Sequence, residues 1–192
     1  MNRKKEFTVS EISKVKVNIE SELITKGQFC SIDKLNPTTL KSTGFYCIRL
    51  KASSSLPNRY QKILDKREHK LLYIGKAEGQ TLEGRLSQEL VQKGAGTFFR
   101  SIGCVLQIPP IEGHLKGKSN QNNYKFSQEN KQKIIQWLRE NIELSIVAYD
   151  GDFGIEGELI GMYCPLLNIQ HNPVSLRELE DDRDKWRKIA SG

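Results

Sequence analysis

Apolar positions along the chain switch between a two-residue and a helical period, and the switches mark out the elements. Gly44 to Leu50 (GFYCIRL) is rich in aromatic and β-branched residues and predicts a first buried strand. Leu71 to Gly75 predicts a second, stopped by its glycine. Ile142, Leu144, Ile146 and Ala148 alternate with other residues, which makes Ile142 to Tyr149 the third strand. Leu82, Leu86 and Leu90 recur one turn apart behind an N-cap residue, Thr81, and predict a helix running to about Gln92. Gly94-Ala95-Gly96 breaks it, and Thr97 is the expected cap of a helix carrying Phe98, Phe99, Ile102, Val105 and Leu106, ended by Pro109-Pro110. Ser127 caps a further helix with Ile134, Ile135, Trp137 and Leu138. Asp150-Gly151-Asp152 predicts a turn that caps a helix from about Ile155 to Tyr163, stopped by Pro165.

The remaining stretches are less regular. Phe7, Val9, Ile12, Val15, Val17 and Ile19 form a weak pattern, ambiguous between strand and helix, that ends in the turn signal Asn36-Pro37-Thr38-Thr39. The polar, basic insertion from Ala52 to Lys70 predicts a surface loop with a short helix, and Gly113 to Asn123 a loop too polar for the core. Leu166 to Ile169 is short and extended. The tail from Ser175 to Ile189 is helical in pattern, with Leu176, Leu179 and Trp186 facing the core or a partner. No internal repeat is present. These elements give a small α/β or α+β domain, a three-stranded mixed sheet flanked by helices. Three segments are expected: an N-terminal appendage over residues 1–40, the main domain over 41–172 and a C-terminal helix over 173–192.

Composition narrows the class of molecule. At 192 residues, with 37% hydrophobic and 28% charged side chains, the chain suits one globular domain with appendages. No run approaches the apolar length of a membrane span, and no hydrophobic segment follows Met1-Asn2-Arg3-Lys4-Lys5, so a cytoplasmic, membrane-free setting is expected. Cys30, Cys47, Cys104 and Cys164 show no paired spacing and argue for reduced thiols rather than a disulfide or zinc framework. The formal charge of +7 attracts polyanions without naming one. It concentrates between Lys51 and Lys76, with a local net of +5, and between Pro109 and Lys133, with +3, whereas His171 to Gly192 is neutral. Phosphate neutralisation is one use for such a distribution, and a solvated lysine-rich surface is the other.

Chemistry is concentrated in two short motifs, Gly44-Phe45-Tyr46 and Tyr73-Ile74-Gly75, each placing a tyrosine where a strand meets a turn. Lys76 follows the second, Arg85 lies on the helix after it, and Glu156 and Asn168 come later. Tyrosine, arginine and glutamate on a small sheet are the parts needed to hydrolyse a phosphodiester with one divalent metal. In this order the residues resemble the GIY-YIG nuclease superfamily, with Glu156 to Asn168 (EGELIGMYCPLLN) similar to its metal-binding glutamate helix and closing proline-x-x-asparagine. The resemblance covers roughly Thr43 to Asn172. Around Gly96 to Ser101 it is nearest to a less-characterised bacterial branch. Glu89 stands where many members carry a histidine or tyrosine, one turn after the arginine, and could hold Arg85 in a salt bridge.

That resemblance implies a Mg²⁺- or Mn²⁺-dependent endonuclease acting on DNA. It implies a catalytic set of Tyr46, Tyr73, Lys76, Arg85, Glu156 and Asn168, with Glu156 as the metal ligand. Glu156 flanks the apolar stripe of its helix, and its rival Glu158 points about 200° away. The bland alternative for Glu156 is a first-turn acid favoured by the helix dipole, and for Arg85 an ion pair with Glu89. Tyr73 is the expected general base and Tyr46 its hydrogen-bonding partner. An ordinary tyrosine pKa is about 10, so that role requires a lowered pKa. Both could instead be packed strand tyrosines. Lys76 is expected to supply positive charge to the tyrosinate or phosphate, or else to be solvated. Asn168 either orients the glutamate or a phosphate oxygen, or satisfies local backbone. His69, His114 and His171 are not expected to be ligands. A homodimer is left open. The competing readings are a catalytically inactive nucleic-acid-binding module on the same fold and an interaction role centred on the C-terminal helix.

Overall fold

The computed structural model describes residues 9–192. Phe7, the first member of the weak N-terminal pattern, lies outside the described residues. The pattern resolves as helix: α1 spans Val9–Glu20 and continues as a wider turn over Ser21–Thr25. Asn36 begins a short helix, α2 (Pro37–Leu40), rather than an open turn, because its side-chain oxygen accepts the Thr38 and Thr39 N–H groups. The strands are β1 (Gly44–Leu50), β2 (Leu71–Ala77) and β3 (Ile142–Ala148). Helix α3 (Asn58–Leu64) lies between the first two strands. Between β2 and β3 come α4 (Leu82–Val91), α5 (Thr97–Val105) and α6 (Gln128–Asn141). Helices α7 (Ile155–Tyr163) and α8 (Arg177–Ser191) follow.

The sheet has the order β2-β1-β3 and is antiparallel throughout, not mixed. Both edge strands run against the central one, so no parallel crossover is needed. One face carries Tyr46, Ile48, Leu50 and Leu72 into the larger core with α4, α5, α6 and α8. The other carries Phe45, Cys47 and Ile74 onto Ile19, Leu23 and the α7 residues Ile155 and Leu159.

Three stretches expected at the surface or apart from the domain contribute to its interior. In the Ala52–Lys70 insertion, Leu56, Tyr60 and Leu64 are buried, and the Tyr60 hydroxyl donates to Asp182 of α8 at 2.7 Å. In the glycine-lysine loop, Leu115 is buried and its N–H donates to the Ala190 carbonyl of α8. Ahead of β1, Ile19, Leu23 and Leu35 are buried, and Cys30 exchanges backbone hydrogen bonds of 2.9 Å with Leu144 of β3. Helix α8 packs on the core through Leu179, Trp186 and Ala190. In each stretch isolated apolar residues are anchored by elements distant in sequence, which a local reading of polarity cannot show.

Candidate active site

The two tyrosine motifs face each other across neighbouring strands. Tyr46 pairs with Gly75 and Ile48 with Tyr73, so both tyrosines project from the same face of the sheet. Their rings stack at 6.3 Å with an interplanar angle of 22°. Gly75 is required because a Cβ there would collide with the Tyr46 phenol. Tyr46, on the central strand, is wholly buried. Tyr73, on the edge strand, is 8% exposed, packs on Phe98 and borders an open cleft. The expected Tyr46–Tyr73 hydrogen bond is not the one formed: the Tyr46 hydroxyl donates to Glu89 Oε1 at 3.4 Å. Burial, and after it the Glu89 charge, raises the pKa of both phenols above the ordinary tyrosine value, so both are neutral at neutral pH.

Glu89 joins three parts of the wall opposite. The amphipathic period of α4, capped by Thr81, turns Arg85 to the cleft and Glu89 inward. Glu89 is fully buried, and its Oε1 lies 2.6 Å from Arg85 Nη2. Its Oε2 accepts the Phe98 N–H at 2.7 Å. This carboxylate thereby takes the place of the expected Thr97 cap: Thr97 is the first residue of α5, and Gly96 at the cap position offers no side-chain acceptor. Burial pushes the Glu89 carboxyl upward, and the Arg85 guanidinium and Phe98 N–H oppose it. Arg85 also donates through Nη1 to Gln88 at 3.2 Å, while its Nε is buried without a partner.

Glu156 stands on the other side of the cleft, in the first turn of α7. Lys76 Nζ lies 3.7 Å from its Oε2 and 2.9 Å from Glu78 Oε2. Burial raises the Glu156 pKa, and Lys76 is the first charge to oppose that. Glu158 points away and pairs with Lys16 at 2.7 Å. Asn168 is buried with both ends of its amide engaged: Oδ1 accepts the Ile74 N–H and Nδ2 donates to the Ile74 carbonyl, each at 2.9 Å. Leu166 and Leu167 donate to Leu71 and Leu72 carbonyls alongside. The 166–168 segment thus closes the free edge of β2, and Asn168 spends both ends of its amide on the backbone of Ile74, next to Tyr73.

Tyr73, Lys76, Arg85, Glu156 and Asn168 all line one polar cleft of about 890 Å³. Tyr46 lies behind it. The cleft also holds residues the sequence reading gave no role: Arg100 of α5, Arg183 and Arg187 of α8, and His171. A net-neutral tail concealed the α8 pair, although their i, i+4 spacing places them on one side of the helix. The basic insertion is partly consumed in internal contacts. Arg59 pairs with Asp182 at 3.2 Å, and Lys51, just ahead of the insertion, donates to the Arg139 and Glu140 carbonyls.

A single divalent cation fits these residues. Glu156 is a partly buried carboxylate, loosely paired with one ammonium and open to the cleft, and a hard cation held by one such oxygen ligand keeps water in its other positions. Among the described residues no three His, Cys, Asp or Glu side chains gather as a metal cluster; Glu78, Glu180 and Asp184 also line the cleft, each with a partner of its own. Among the described residues, no helix is long and apolar enough to cross a membrane. The family described as the GIY-YIG catalytic domain matches residues 44–188, which takes in both tyrosine motifs, Glu156 and most of α8. No curated protein and no solved structure matches the chain.

Proposed function

The chain belongs to the GIY-YIG catalytic domain family, a nuclease family, and from that premise we propose that it is a divalent-metal-dependent DNA endonuclease. The observation that carries this reading is the convergence of Tyr73, Lys76, Arg85 and Glu156 on one open cleft. Arg85 stabilises negative charge on the phosphoryl oxygens of the bond being cut. Tyr73, in its ionised form, accepts the proton of the attacking water on its phenolate oxygen; burial disfavours that form, so the step is favoured as pH rises. Lys76 balances charge between Glu156 and the phosphate. Asn168 holds the backbone beside Tyr73, and Glu89 holds Arg85. Glu156 would hold the cation, Mg²⁺ or Mn²⁺, which when bound would supply Lewis-acid stabilisation of the leaving group.

A second reading is a nucleic-acid-binding module without catalysis. Its support is the 2.6 Å pairing of Arg85 with Glu89, which engages one end of the guanidinium. Supercoiled plasmid incubated with purified protein and Mg²⁺ or Mn²⁺ tests the two. Nicking that Glu156→Ala and Tyr73→Phe both abolish is expected of the nuclease. Intact plasmid bound equally by all three proteins would replace it with the binding module.

A further inference from the structure

Arg100 is 5% exposed yet lines the cleft. Its guanidinium meets only neutral acceptors, with Nη1 donating to Asn123 Oδ1 at 3.1 Å and Nη2 to Thr97 Oγ1 at 3.5 Å. Among the described residues no carboxylate lies within ion-pairing distance of it. A buried charge without a counter-charge is costly, and an anion seated beside it would offset that cost.

Arg183 of α8 enters the same cleft and makes no hydrogen bond or ion pair among the described residues. Burial drives the Arg100 pKa down; Tyr124 opposes that, and the positive charge of Arg183 adds to it, so the two guanidiniums repel one another. Three of the five α8 carboxylates have partners of their own. Asp184 pairs with Arg187, Glu180 accepts the Ser175 hydroxyl at 3.1 Å, and Asp182 pairs with Arg59. Glu89 acts on Arg100 from a distance, but its oxygens are taken by Arg85, Tyr46 and the Phe98 N–H.

We infer that Arg100 and Arg183, with the Thr97 hydroxyl, form a second phosphate subsite that grips a phosphodiester of the bound strand away from the bond being cut. The inference rests on the nuclease reading for its choice of ligand. Planar guanidiniums without carboxylate partners suit phosphate oxygens, and the open cleft connects this pair to Arg85 and Glu156. The subsite positions the strand without reading sequence. It makes the C-terminal helix a working wall of the site rather than packing alone.

The test is binding of a fluorescein-labelled duplex oligonucleotide to the full chain in EDTA across a range of salt, for wild type, Arg183→Ala and Arg177→Ala. Arg183→Ala should weaken binding about 5- to 20-fold at low salt and reduce the slope of log affinity against log salt by about 1, equally for unrelated sequences. Arg177→Ala, on an exposed position, serves as the control and should match wild type. Arg100→Lys, which keeps the charge but loses the fork, should show a smaller loss. Wild-type and Arg183→Ala proteins with equal affinity and slope would overturn the subsite while leaving the nuclease reading intact. Binding of inorganic phosphate that Arg183→Ala abolishes without altering oligonucleotide affinity would also overturn it, assigning the pair to a free anion. Oligonucleotide binding with the expected Arg183→Ala loss but no plasmid cleavage by wild type would keep the subsite and remove the nuclease reading.

Discussion

Glu89, buried behind the cleft, and Glu156, which lines it, are the same residue type in contrasting surroundings. Glu89 is sealed by protein donors, with a guanidinium on one oxygen, a backbone N–H on the other and a phenol at longer range. Glu156 has one ammonium at 3.7 Å and an open side. A carboxylate that is already satisfied organises its neighbours, and one that is undersupplied is available to a cation. The lesson extends to the tyrosines: Tyr46 is committed to Glu89, whereas Tyr73 reaches the cleft.

The sharpest way to break that contrast is Glu156→Ala. It should reduce metal-dependent nicking by about 10³-fold or more, since the metal's contribution is several kcal/mol, while the urea midpoint barely moves. A loss of stability without loss of nicking would reverse the assignment of the two carboxylates. Tyr73→Phe should cost about 10²- to 10⁴-fold in rate. Because burial raises the Tyr73 pKa, its basic form is scarce at neutral pH, so the wild-type rate should rise with pH by up to about tenfold per unit. A rate profile over neutral to alkaline pH checks this, and the Tyr73→Phe profile should lose that slope.

Glu89→Ala should act first on the fold. Removing one partner of a buried ion pair costs about 3–5 kcal/mol, read from urea unfolding, and it also frees the α5 N-terminus. Glu89→Gln, which keeps an acceptor for Phe98, should lose less stability. If both variants unfold like wild type, Glu89 is not the organiser of that wall. Smallest of the four is Asn168→Ala, which leaves the Ile74 N–H and carbonyl without partners at about 1–3 kcal/mol. Its rate should fall only as far as Tyr73 shifts, and a loss as deep as that of Tyr73→Phe would instead place Asn168 in contact with substrate.

Much of this arrangement was legible before the structure. The β1 boundaries, the Thr81 and Ser127 caps and the span of α7 follow from local pattern and capping chemistry, which act within a few residues. The pairing of Arg85 with Glu89 followed from i, i+4 spacing, although its burial did not. What escaped was set by distant contacts. Asn168 reads as a polar loop residue until the β2 edge is placed beside it. The Phe98 N–H takes its acceptor from Glu89, nine residues back, which no cap signature encodes. Arg183 and Arg187 sit in a stretch whose charges sum to zero, and only the docking of Leu179, Trp186 and Ala190 turns them to the cleft.

That docking has a consequence for when the protein becomes competent. Synthesis delivers Tyr46, Tyr73, Arg85 and Glu156 in turn, but the wall that bears Arg183 and Arg187 comes after all of them. Domains form from their N-terminal part onward as the chain emerges, and this one cannot seal Tyr60 against Asp182 or Leu115 against Ala190 until α8 has left the ribosome. A nascent chain therefore carries both tyrosines in an unfinished groove until α8 has emerged and docked on the core.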